Sequence, residues 1–151
     1  MSSDAWAWWR SLGAPRYVCA PMVDQSERAF RAVARRHGVG LCYSPMLVAS
    51  AMGDASYRAA YLDAPDDRDR PLFVQVGGSG EAFLAGAARV ARAGGCDAVD
   101  VNLGCPQSCA RRGGYGAFTD EDDAVALVAA VVAAVKPVSY THLTLPTILL
   151  V

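Results

Sequence analysis

The sequence predicts an α/β fold, the front part of a (β/α)8 TIM barrel that carries the first four or so βα units and lacks the C-terminal half. Three observations lead there. Short apolar runs rich in β-branched and aromatic residues, YVCAP (17–21), LCY (41–43), LFVQV (72–76) and AVDVN (98–102), read as strands buried on both faces. Their starts lie 24 to 31 residues apart, the period of a repeated βα unit. Pro21 and Met22, Tyr43 and Ser44, Gln75, and Asn102 fall at or just past strand C-terminal ends, where a barrel keeps its chemistry. Open α/β sheets bind ligands there too. A closed barrel needs about 250 residues, so 151 residues hold roughly its first half.

Residues 1–16 read as an N-terminal extension. Its start, MSSDAWAWWRSLG, has Asp4 and three tryptophans where a signal peptide would have a basic and then a leucine-rich stretch. After the first strand, Asp24 and Ser26 can cap a helix through ERAFRAVARRHG, stopped by Gly38. Residues 45–70 are less regular, with a short helix expected around Val48–Met52 and a charged loop, DAPDDRDR. EAFLAGAARVARAGG puts Phe83, Leu84, Ala87, Ala88 and Ala91 on one stripe and ends at Gly94. DEDDAVALVAAVVAAVK sets four acids at a helix N-terminus and Lys136 near its C-terminus. Its apolar run, Ala124 to Val135, has twelve residues, against roughly twenty for a bilayer crossing, so no membrane partner is expected.

Apolar residues make up 53% of the chain and charged ones 19%, which excludes disorder. A net charge of −1 gives no long-range field for nucleic acid, so any RNA contact must rest on local patches. The five cysteines form no CxxC pair and neither histidine lies close to Cys105 and Cys109, so no metal site is expected. Reduced thiols and no export signal suggest a cytoplasmic protein, with the nucleus as an alternative.

The candidate site residues sit in separate motifs. In VCAPMVDQSE, Pro21 gives up its N–H, which should leave the amides of Met22 and Val23 free to meet a ligand, with the Met22 side chain beneath a flat ring. The amide of Gln75, inside a buried strand, needs partners for donor and acceptor alike and can bond backbone or read a heterocycle. GGSG (77–80) lacks the spacing of a phosphate-binding loop and reads as an open strand-to-helix turn.

DVNLGCPQSCARRGGYGAF (100–118) carries the most chemistry. Asn102 can pair with an imide edge such as that of uracil, and Pro106 restricts the backbone of Cys105. An unperturbed thiol titrates near about 8.5 and is mostly protonated at neutrality. With no histidine in the neighbouring motifs, Cys105 suits a proton donor better than a nucleophile. A buried structural cysteine is the plain alternative. Arg111 and Arg112 supply two cations, and the glycines after them are expected to form a flexible loop able to close over a substrate.

APMVDQSERAFR, RHGVGLCYSPM, PLFVQVGG and DVNLGCPQSCARRGGYGAF together resemble the tRNA-dihydrouridine synthases, and most closely the eukaryotic branch acting at D-loop positions 16 and 17. The resemblance runs from Tyr17 to Val138. It implies a partial FMN-binding TIM barrel over 17–138, reduction of the flavin by NADPH, and tRNA as substrate. By the resemblance, Pro21, Met22, Val23 and Gln75 contact FMN, Asn102 contacts substrate or flavin, and Cys105 is the catalytic acid. After KPV the family continues with a lysine-bearing strand, whereas SYTHLTLPTILLV (139–151) matches no family element and reads as an artefactual tail. The 151-residue chain alone is therefore expected to be inactive. Two alternatives stay open at this point: another flavin barrel of the dihydroorotate dehydrogenase kind, and a non-catalytic fragment that binds RNA or a partner.

Overall fold

The computed structural model describes residues 3–62 and 66–135. Five parallel strands form one sheet: β1 (Val18–Cys19), β2 (Leu41–Tyr43), β3 (Leu47–Val48), β4 (Leu72–Gly77) and β5 (Ala98–Val101). Val76 faces Leu47 on one side and Val101 on the other, and Phe73 likewise faces Tyr43 and Ala98. β2 and β3 therefore lie in line along one edge of β4, with β5 along the other. The five segments fill four consecutive strand positions, the opening order of a (β/α)8 barrel. Between Tyr43 and Leu47 the chain takes four steps while β4 takes three, from Phe73 to Val76, so one extra residue is accommodated at Ser44–Met46 as a bulge.

Six α-helices accompany the sheet: α1 (Ser3–Ser11), α2 (Arg28–Arg36), α3 (Ala55–Tyr61), α4 (Glu81–Ala93), α5 (Ser108–Gly113) and α6 (Glu121–Val135). Side chains alternate across the pleat. Val74, Val76 and Val99 point one way, into a core with Leu84, Ala87, Ala88 and Ala91 of α4 and Leu127, Val131 and Val135 of α6. The alanines of α4 let it approach closely. Of its expected stripe only Phe83 departs, lying exposed at the first turn of the helix. Leu41, Tyr43, Phe73 and Ala98 point the other way, into the barrel interior, where Trp8, Trp9 and Leu12 cover them. Trp8 stacks on Phe73 with ring centroids 5.8 Å apart.

Within the N-terminal extension, α1 docks Trp8 and Trp9 onto the sheet. Two local expectations need correction. Ser26 does not cap α2: the N-cap is Glu27, and the Ser26 hydroxyl turns back to Met22. The stretch expected as a glycine loop carries regular structure: Arg111 and Arg112 lie inside α5, Gly114 is left-handed at its end, and Gly116–Phe118 form a 3-10 turn. Lys136 and residues 139–151 lie outside the described residues. Among the described residues no helix is long and apolar enough to cross a membrane.

Candidate active site

Parallel strands bring all their carboxyl ends to one rim, and β1, β4 and β5 deliver the candidate residues there. The register sets Gln75 opposite Asp100 on the interior face. Gln75 Nε2 donates to Asp100 Oδ2 at 2.8 Å, which fixes the amide so that Oε1 faces Asn102 Nδ2, 3.4 Å away. Asn102, one residue beyond β5, is anchored by its own N–H to the carbonyl of Val76 at 2.9 Å. Its Nδ2 also points at the Met46 sulfur, 3.2 Å away. Its Oδ1 accepts from the N–H groups of Gly104 and Cys105 at 3.1 and 3.0 Å. A polar chain thus runs from Asp100 through Gln75 and Asn102 to the backbone of Cys105.

The loop after β5 is closed from the far side. Gly116 donates to the Asn102 carbonyl at 3.2 Å, and Ala117 donates to the Cys105 carbonyl at 3.1 Å. A Cβ on Gly116 would sit 2.5 Å from the Cys105 oxygen, and its φ of +69° is one that residues with a side chain seldom adopt. The glycine segment therefore closes against the half-buried Cys105. Gly77 is needed for a similar reason, since a Cβ there would meet the Met46 sulfur at 2.7 Å.

Two tyrosines border this group. Burial, with the Asp100 charge second, raises the pKa of Tyr43 and keeps its phenol neutral. Burial first, then its hydrogen bond with the Cys109 sulfur, pushes Tyr115 up to about 12.

Pro21, Met22 and Val23 follow β1 at the same rim, but no hydrogen bond among the described residues joins them to Gln75 or Asn102. The amide of Met22 is not free as expected: it donates to Ser26 Oγ at 2.9 Å, and Ser26 Oγ donates back to the Met22 carbonyl at 3.0 Å. A cavity of about 490 Å3 lies elsewhere, on the outer side of α2, lined by Arg28, Arg35, Arg36, Asp66 and Arg68. It touches none of the candidate site residues. Among the described residues no group of three or more His, Cys, Asp or Glu could hold a metal ion.

Sequence reasoning overlooked Asp100, although Ala98, Asp100 and Asn102 alternate onto one face in the sequence itself. It also overlooked Arg31 and Asp69. Arg31 is fully buried, and its Nε and Nη2 reach Asp69 Oδ2 at 3.0 and 2.6 Å. No local signal pairs these two, because 38 residues separate them.

The chain matches the family model described as dihydrouridine synthase (Dus) over residues 18–146. It is 51% identical over 118 residues to a Rattus norvegicus protein named tRNA-dihydrouridine(16/17) synthase-like, covering 76% of this chain and 26% of the relative. Identity to the Schizosaccharomyces pombe tRNA-dihydrouridine(16/17) synthase is 44% over 116 residues, covering 76% of this chain and 29% of that one. The Homo sapiens tRNA-dihydrouridine(20a/20b) synthase-like protein is 38% identical over 103 residues, 66% of this chain and 31% of its own length. The chain thus spans between a quarter and a third of these relatives.

Proposed function

Since the chain belongs to the dihydrouridine synthase family, we propose that it forms the front of a flavin-dependent barrel that reduces the C5=C6 bond of uridine in tRNA, with NADPH as reductant. Relatives at 51% and 44% identity are named for positions 16 and 17, and on that ground the uridine is assigned to the D-loop. The observation that carries the reading is the hydrogen-bonded chain from Asp100 to the Cys105 backbone.

The interior face fits FMN in one checkable respect. With Nε2 committed to Asp100, the Gln75 carbonyl offers an acceptor at the strand rim, as the imide N–H of an isoalloxazine needs. Pro21, Met22 and Val23 would supply the apolar wall beside the ring. Bound there in its reduced form, FMN would be the source of hydride for C6 of the uracil. Asn102 orients the Cys105 loop. The Cys105 thiol, half-buried and with no histidine near it in sequence, hands its proton to C5 of the uracil. The target base must leave the tRNA stack to reach this rim.

β1 and β5 each pair with one strand only among the described residues. Activity is therefore to be measured in a complete barrel: residues 1–135 of this chain continued by the matching C-terminal part of the Rattus norvegicus relative. In that protein Cys105→Ala should abolish dihydrouridine formation in tRNA while leaving FMN bound. Undiminished dihydrouridine formation by the variant would refute the acid role.

A further inference from the structure

The turn after β1 is held more tightly than a βα connection requires. Asp24 adopts φ +57°, a left-handed conformation uncommon for a residue with a side chain. Ser26, 0% exposed, spends its hydroxyl on both backbone groups of Met22. The Ser26 carbonyl in turn accepts from Arg31 Nη1 at 2.8 Å. Arg31, also 0% exposed, is gripped by Asp69, whose other oxygen takes Arg35 Nε at 3.3 Å. Asp69 belongs to the 3-10 turn Asp67–Asp69, just ahead of β4.

A buried ion pair is a poor way to gain stability, because apolar side chains of similar volume do as well or better. What apolar side chains cannot do is aim a donor at a loop carbonyl. We propose that Arg31 and Asp69 are positioning residues that, through Ser26, set the shape of the Pro21–Asp24 turn as one wall of the flavin site. This rests on the flavin reading above. The clamp also ties that turn to the segment that leads into β4, the strand that carries Gln75, so the two cofactor-facing elements move as one body.

The test uses the complete barrel described above and two variants, Ser26→Ala and the paired Arg31→Met/Asp69→Leu, which removes both buried charges and leaves Arg35 its bond to the Pro71 carbonyl. Two quantities are read: hydrogen exchange at the Met22 amide without flavin, and the Kd for FMN by fluorescence. The clamp predicts faster exchange at Met22 and FMN binding weakened about tenfold in both variants, the scale of one lost hydrogen bond to a charged or buried group. Unchanged exchange overturns the clamp. Faster exchange with an unchanged Kd overturns the positioning role and leaves a merely structural ion pair. If the parent barrel takes up no FMN, the flavin reading fails on its own account, and exchange at Met22 alone decides whether Ser26, Arg31 and Asp69 hold the turn. Should the paired variant fail to fold, Ser26→Ala decides, since it leaves the ion pair in place.

Discussion

Asn102 and Cys105 are joined side chain to backbone: the Asn102 Oδ1 accepts the Cys105 N–H at 3.0 Å and so fixes where the chain turns before Pro106. Removing that acceptor should misplace the thiol without touching it. In the complete barrel Asn102→Ala is expected to lower kcat about 100-fold, the order that an ångström of misalignment costs. Asn102→Asp keeps the Oδ1 acceptor for Cys105 while setting a carboxylate oxygen in place of the amide donor beside Gln75 and Met46, and the retained acceptor should leave it more active than Ala. Single-turnover kinetics with tRNA separate the two. Equal losses would show that the acceptor is not what matters.

Gly116 offers a second way to disturb the same loop. Gly116→Ala would press a methyl group against the Cys105 carbonyl at an unfavourable φ. The cost should be about 1–3 kcal/mol of stability. Urea denaturation measures it, and an unchanged midpoint would mean that the loop gives way freely.

Alkaline stability follows from the buried thiols. Burial raises Cys42 from 9.0 to about 11 and Cys96 from 9.0 to about 12. In the unfolded chain these thiols ionise first, so above pH 9 the unfolded state binds fewer protons than the native one. Their contribution is complete below pH 9 and is lost as pH rises from 9 towards 12. Urea midpoints should fall over that window, and Cys42→Ala/Cys96→Ala should flatten the fall. An undiminished slope in the double variant would rule the thiols out as its source.

The floor of the barrel interior gives a stability prediction independent of the chemistry. Trp8→Ala removes the ring stacked on Phe73 and uncovers Leu41 and Ala98. A loss of about 2–4 kcal/mol is expected, somewhat below a fully buried tryptophan because Trp8 is half-buried. Thermal unfolding would reveal it. No change in Tm would mean that α1 rests on the sheet without stabilising it.

Much of the architecture is legible in the chain because parallel strands are apolar on both faces and stand out as runs. The four runs coincide with β1, β2, β4 and β5, and the three periodic stretches with α2, α4 and α6. α1 is not legible, since its tryptophans show their purpose only against Phe73, Leu41 and Ala98, which come later in the sequence. α5 is hidden by the glycines that follow it. At the site, Cys105, Asn102 and Gln75 are visible as polar or reactive residues in apolar surroundings. The Arg31–Asp69 pair is not, because both residues look like ordinary surface charges until the fold encloses them.

The bulge at Ser44–Met46 also decides which layer each side chain joins. Without the bulge, the four steps from Tyr43 to Leu47 would set both side chains on one face. With it, Tyr43 lines the lumen beside Phe73, while Leu47 joins the helix-side core with Val74 and Leu84. The phase change leaves Met46 beside Asn102, its sulfur against the amide. Shortening the chain here by a single codon would leave three plain steps beside the three of β4, so Leu47 should keep its layer and only the irregularity at Ser44–Met46 should be lost.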